Sequence, residues 1–139
     1  MQIIPPFDLL NSPLAERNLL EASAGTGKTF TAAHVIRTLV KQGNRVGITA
    51  MSHHAIDNLM QEVVDRFAEE GELDELRAVR KHQSGSVDEV PYVDNNGKCA
   101  SGPYDVIGGT PWLFASQSMR DNPVDVLVVD EAGQLGLAD

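Results

Sequence analysis

Apolar residues in this chain cluster in short runs of the length expected for buried strands. Residues 45–50 and 124–129 form the clearest runs, and the second is nearly continuous and rich in β-branched residues. Such a run is typical of a central strand in a parallel sheet, because helices cover both of its faces. Residues 18–21 and 104–107 are two weaker strand candidates.

Between these runs the apolar spacing becomes helical. The apolar side chains of residues 29–41 fall on one helical face, and those of residues 53–70 recur at steps of three and one, which predicts two amphipathic helices. Gly43 is a stop signal after the first helix, and Ser52 is a natural N-cap for the second. Strand, helix, strand, helix predicts an α/β fold with a parallel sheet and right-handed crossovers. Residues 83–103 are rich in turn-formers, so we expect an exposed insertion there and no second domain.

Composition limits the class of protein. The chain has 139 residues, 42% apolar and 22% charged, as in an ordinary one-domain globular protein. A net charge of −9 argues against a broad basic surface for duplex DNA, but a single strand can be held by backbone amides and a few local contacts. We expect the acidic stretch 57–75 and the basic stretch 77–82 to be solvated surface.

The first residues of the chain and its single cysteine indicate the cellular compartment. The first residues lack the basic start and apolar stretch of a secretion signal, and no apolar run approaches the ~18 residues of a membrane helix. Cys99 is the one cysteine, so no internal disulfide can form, and we expect a plain thiol in a loop. These features predict a cytoplasmic protein without a membrane partner.

The segment from Ala22 to Thr29 fits the phosphate-loop pattern, with alanine where glycine is commoner. Small residues are required because successive backbone N–H groups turn inward around the β-phosphate, and Gly25 and Gly27 supply the unusual backbone angles. Lys28 places a cation between the β- and γ-phosphates, and the Thr29 hydroxyl is a Mg²⁺ ligand. The predicted nucleotide-binding residues are Ala22, Ser23, Ala24, Gly25, Thr26, Gly27, Lys28 and Thr29.

A second Mg²⁺ anchor is expected at the carboxyl end of a nearby parallel strand. The apolar run 126–129 ends in Asp130 and Glu131. We predict that Asp130 holds Mg²⁺ through water, since that ion keeps much of its hydration shell. Glu131 is placed to orient or deprotonate the attacking water. An ordinary acidic strand end is the alternative, and the accompanying phosphate loop argues against it.

Four segments together resemble motifs of superfamily 1 helicases. Residues 21–31 look like the phosphate loop of RecB-type members, and residues 49–59 are similar to motif Ia. Residues 130–134, Asp-Glu-Ala-Gly-Gln, resemble the second motif of the clade with the nonsense-mediated-decay and replication helicase-nucleases. Residues 105–113 look like the preceding motif in bacterial proteins that join a RecB-like nuclease to such a helicase. Order and spacing match across roughly residues 18–139.

The resemblance implies that residues 1–139 are part of an N-terminal RecA-like motor domain, a P-loop NTPase that binds ATP and Mg²⁺. Its motifs would be the phosphate loop 22–29, motif Ia, the segment 105–113 and the acidic motif 130–134. The implied partners are a single-stranded nucleic acid, with DNA preferred to RNA, a second RecA-like domain and a RecB-like nuclease domain. Gln134 would contact the γ-phosphate region and, with Lys28 and Glu131, complete the catalytic set.

The same resemblance implies five residues near the nucleic acid. Ser52, His53 and Asn58 would lie near the single strand, although the capping role is an equally sufficient reason for Ser52. Thr110 would meet a backbone phosphate. Trp112, the one tryptophan, would either stack on a base or pack in the core, and the core is favoured because large aromatic residues are mostly buried.

Two departures from the family pattern affect what we expect of the chain. Residues 3–20 contain no glutamine to read adenine, so selectivity for ATP over GTP is left open. The chain stops at Asp139, before any second RecA-like domain or arginine finger, and such fingers can contribute ~10³ or more in rate. We therefore expect very slow ATP hydrolysis and no unwinding by this chain alone.

Two other functions stay open at this point. The chain could be a nucleotide-binding switch that does not unwind nucleic acid. It could also be a small-molecule kinase, but that function leaves the resemblance of residues 49–59 and 105–113 unexplained.

Overall fold

The computed structural model describes residues 2–4 and 28–130. Predicted strand 18–21 lies outside them. In chain order the described elements are β1 (Gln2–Ile4), α1 (Lys28–Lys41), β2 (Val46–Thr49), α2 (His53–Glu69), a 3₁₀ turn (Leu73–Glu75), β3 (Ala78–Arg80), α3 (Asn96–Ser101), β4 (Val106–Gly108), α4 (Pro111–Phe114), α5 (Gln117–Asp121) and β5 (Val126–Val129).

The described strands form one sheet in the order β1-β5-β2-β4-β3. Strands β5, β2, β4 and β3 are mutually parallel, and β1 pairs antiparallel with β5 at the edge. Val46 is in register with both Val106 and Val126, so β2, β4 and β5 start level with one another. The predicted α/β parallel sheet is confirmed, and the fold is consistent with a RecA-like P-loop architecture.

Helices cover both faces of this sheet, which explains the nearly continuous apolar strands. On one face α1 and α2 pack together over Val46, Ile48 and Val128. On the other face α3, α4 and α5 cover Ile107 and Leu127. The inward-facing residues of α2 follow the predicted helical spacing and are Ala55, Ile56, Leu59, Met60, Val63, Val64 and Phe67.

Both predicted helix signals are confirmed in the structure. Ser52 caps α2, since its Oγ accepts a hydrogen bond of 3.1 Å from the backbone N–H of Ala55. Gly43 follows α1 with a φ of 92°, a left-handed conformation that glycine adopts without steric cost. No helix within residues 28–130 is both long enough and apolar enough to cross a membrane.

The prediction of solvated surface for residues 77–82 is wrong for residues 78–80, whereas Arg77 is exposed as expected. Residues 78–80 form the edge strand β3, and all three are buried. Arg80 is 0% exposed because its guanidinium finds polar partners inside the protein, foremost Asp57 of α2. Asp57, which opens the acidic stretch, is accordingly half-buried, whereas Asp65 and Asp74 of that stretch are exposed as expected.

The exposed insertion expected at residues 83–103 is only partly correct. Residues 83–86 are exposed, but Val87 and Val90 are buried against the core. The predicted loop around Cys99 is instead helix α3, in which Cys99 is fully buried. Burial raises the pKa of this thiol, so the side chain behaves as a small apolar residue and not as a nucleophile.

We expect Phe67→Ala to lower the free energy of unfolding by about 3–5 kcal/mol, because it empties a fully buried aromatic site between α2 and the sheet. Met51→Ala is the control, since Met51 is 65% exposed and should change the free energy by no more than about 0.5 kcal/mol. Urea unfolding followed by circular dichroism measures both. Equal effects of the two substitutions would contradict this description of the core.

Candidate functional site

The carboxyl ends of β2, β4 and β5 meet at one edge of the sheet. The backbone N–H of Asp130, just after β5, donates to the Thr49 carbonyl of β2 at 2.9 Å. The N–H of Gly109, just after β4, donates to the Ile48 carbonyl at 3.0 Å. The three segments that leave these strands therefore start side by side, at the edge where ligands bind in open α/β sheets.

Asp130 and Thr49 form the polar part of this edge. Asp130 is 7% exposed and Thr49 is 4% exposed. The Thr49 hydroxyl has no hydrogen-bond partner among the described residues. In the strand, Thr49 points to the same sheet face as Gly47 and away from α1, so the cation-binding group of this edge is the Asp130 carboxylate, which suits a hydrated cation.

Helix α1 begins at the same edge. The chain leaves α1, turns at Gly43 and enters β2, so α1 runs antiparallel to the strand. Its first residue, Lys28, therefore lies toward the carboxyl ends of the strands, as Asp130 does. The amino end of a helix carries unpaired N–H groups and a positive partial charge that favour anions.

Several predicted site residues lie outside the described part of the chain. These are the loop residues before α1 (Ala22, Ser23, Ala24, Gly25, Thr26 and Gly27) together with Glu131 and Gln134. Thr29 belongs to the first turn of α1. The predicted roles of these residues, and those of Lys28 and Asp130, remain predictions.

A cleft of about 380 Å³ lies beside this edge and brings together residues from distant segments. Three residues predicted to lie near nucleic acid line it: His53, at the start of α2, and Thr110 and Trp112, which follow β4. Ser52 and Asn58 are exposed on or beside α2 but are not among the lining residues. The rest of the cleft wall consists of Lys81, His82, Gln83, Asp94, Asn96 and Leu113.

Trp112 is 83% exposed, so the preference for core packing is wrong. In the short helix α4 the neighbouring residue, Leu113, takes the buried position and is 2% exposed. Successive residues on a helix point in different directions, so Trp112 is directed away from that core. Composition alone could not distinguish which of these two apolar residues faces inward.

Sequence reasoning missed a polar network behind the cleft. The Arg80 Nε–H donates to Asp57 Oδ1 at 2.7 Å, and the Tyr92 hydroxyl donates to the same oxygen at 3.3 Å. The other Arg80 nitrogens donate to the Lys81 carbonyl and to His53 Nδ1, each at 2.9 Å. His53 and Asp57 are four residues apart on α2, a spacing that puts both on one helix face and could have suggested a shared partner.

The electrostatics around His53 disfavour its charged form. Partial burial is the first cause that lowers its pKa from 6.5, followed by the nearby His82 and Arg80. The His82 ring lies edge-on at 4.1 Å between ring centroids. Lys81 is held by Asp94 at 3.0 Å, and both residues line the cleft.

Residues 7–95 match the family described as AAA domain, which is more than half of the chain. The chain belongs to the AAA domain family. A 42-residue stretch of this AAA-domain chain is also 43% identical to the DNA replication ATP-dependent helicase/nuclease DNA2 of Saccharomyces cerevisiae. That stretch covers 30% of this chain and 3% of the yeast protein.

The two matches support the resemblance to the N-terminal domain of a superfamily 1 helicase, and the chain is an AAA-type ATPase domain. No solved structure matches the AAA-domain chain significantly.

We expect the fluorescence of Trp112 to report a water-exposed indole. Since Trp112 is the one tryptophan and is 83% exposed, its emission should be red-shifted and fully accessible to the quencher acrylamide. Steady-state emission spectra and acrylamide titrations of the folded chain measure this. A blue-shifted emission that resists quenching would show that the indole is buried.

Proposed function

We propose that this chain is the ATP- and Mg²⁺-binding N-terminal motor domain of a superfamily 1 helicase that acts on single-stranded DNA or RNA. The observation that carries the proposal is the convergence at one sheet edge of the amino end of α1, the buried Asp130 that follows β5 and the adjoining cleft. The partial match to a helicase/nuclease agrees with it.

In this proposal the nucleotide lies between the amino end of α1 and the end of β5. Backbone amides of the loop from Ala22 to Gly27 surround the β-phosphate, and Lys28 binds the β- and γ-phosphates. Thr29 and Asp130 hold Mg²⁺, which neutralises charge on the phosphates. The burial of Asp130 directly after β5 supports this assignment, since the carboxylate lies at the sheet edge toward which α1 begins.

Hydrolysis in the proposed site depends on residues after β5. Glu131 orients the attacking water and accepts its proton, and Gln134 links the γ-phosphate region to the nucleic-acid track. A second RecA-like domain supplies arginine fingers and the other half of the track, and a RecB-like nuclease domain is a further partner. Efficient hydrolysis and unwinding therefore need those domains.

The nucleotide site is tested by Lys28→Ala, which should weaken Mg²⁺–ATP binding about 10- to 150-fold, because a charge-assisted bond of about 1.5–3 kcal/mol is lost. Lys41→Ala is the matched control. It removes a lysine from the other end of α1, where Nζ contacts Glu72 at 3.1 Å and Glu75 at 2.8 Å. Titration calorimetry measures both affinities, and equal binding by the two variants would refute the phosphate-loop assignment.

The proposed nucleic-acid site is the cleft. The exposed indole of Trp112 stacks on a base, the Thr110 hydroxyl binds a backbone phosphate, and His53 contacts the strand. Ser52 and Asn58 flank the path along α2. Local contacts of this kind permit binding despite the acidic net charge of the chain.

We expect Trp112→Ala to weaken binding of a fluorescein-labelled oligothymidine about 5- to 150-fold, because stacking contributes about 1–3 kcal/mol per base. Lys41→Ala, which changes a residue at the far end of α1 that is paired with Glu72 and Glu75, should change the affinity little. Fluorescence anisotropy at fixed salt concentration measures both. Intact nucleotide binding without any oligothymidine binding would favour the alternative of a nucleotide switch.

A further inference from the structure

Arg80 is a fully buried cation on the edge strand β3, and its contacts converge on the amino end of α2. Its Nη2 lies 2.9 Å from His53 Nδ1 and 3.5 Å from the His53 carbonyl. Its Nε and Nη1 are engaged by Asp57 and by the Lys81 carbonyl. The guanidinium therefore has one fixed orientation with respect to the His53 ring.

This contact determines where the His53 ring carries its proton. A guanidinium has only N–H donors, so His53 Nδ1 must accept the bond from Arg80. An Nδ1 that accepts has no proton of its own, and the proton of the neutral ring is then on Nε2. No described residue hydrogen-bonds to Nε2, and His53 lines the cleft.

We propose that Arg80 is a positioning residue that keeps the His53 imidazole neutral, with its proton on Nε2, and so presents this N–H as a donor to an oxygen of the strand bound in the cleft. The proposal rests on the nucleic-acid role proposed above. Arg80 itself does not line the cleft and acts through His53.

The groups around His53 reinforce the neutral ring. Arg80 is positively charged, and His82 and Lys81 add potential positive charge from the segment after β3. Within the described ranges, Asp57 is the acidic group that acts on His53, and Arg80 already binds its Oδ1. His53 thus contributes a directional hydrogen bond without charge.

The insertion 83–103 secures this arrangement. The Tyr92 hydroxyl accepts the Val87 N–H at 3.0 Å and donates to Asp57 at 3.3 Å. Arg80 is also fixed through its backbone, which donates to the Pro91 carbonyl and accepts from Val93. The insertion therefore covers the side of Arg80 that would otherwise face water.

The first test is the tautomer of His53 in the full chain, measured by long-range ¹H–¹⁵N spectra of ¹⁵N-labelled protein. We expect the Nε2–H form in the wild type, with a pKa below the ordinary 6.5. The double variant Arg80→Met/Asp57→Asn removes both partners of the ion pair, so no buried charge is left unpaired. In this variant the Nδ1–H form of His53 should appear, and the pKa of His53 should rise. Arg77→Met is the matched control, because Arg77 pairs with Asp105 on the surface.

The second test is oligothymidine affinity. The double variant should bind about 2- to 10-fold more weakly at about pH 8, since a hydrogen bond of about 0.5–1.5 kcal/mol is lost. An Nδ1–H or doubly protonated His53 in the wild type at neutral pH would overturn the role of Arg80, whether or not the variant folds. The Nε2–H form without oligothymidine binding would instead overturn the proposed nucleic-acid role.

Discussion

Parallel pairing of β5, β2 and β4 is the constraint on which the rest of the structure depends. The three strands are in register, so their carboxyl ends lie at the same edge of the sheet. Asp130, Thr49 and Gly109 are therefore close together at that edge, although they are far apart in sequence. Parallel strands need cover on both faces, which requires the crossover helices to run back antiparallel. The same requirement brings the amino ends of α1 and α2 to that edge.

Close packing between sheet and helices fixes the cleft beside this edge. A Cβ placed on Gly47 of β2 would lie only 2.5 Å from the Phe114 ring, so this strand position has to be glycine for α4 to approach. Helix α4 carries Trp112 on its exposed side and Leu113 on its buried side. The position of the exposed indole is thus determined by packing on the opposite side of the helix.

Sequence periodicity predicted the elements with strong patterns, namely β2, α1, α2 and β5, because their apolar spacing is dictated by the sheet and the helices that cover it, and the weaker run 104–107 indicated β4. Strand β3 was missed because the burial of Arg80 depends on Asp57 and His53, which are distant in sequence. Trp112 was misjudged because only tertiary packing decides which of two adjacent apolar residues is covered. The loop from Ala22 to Gly27 was identified by motif, a signal that does not depend on periodicity.

Paramagnetic broadening by Mn²⁺–ATP locates the metal and nucleotide in the folded chain without any substitution. We expect the amide resonances of the first turn of α1, Thr49 and Asp130 to broaden together. Gly43 and Gly71, at the opposite ends of α1 and α2, should remain sharp. Broadening centred on Gly43 or Gly71, or none at the end of β5, would contradict a nucleotide site at the carboxyl edge of the sheet.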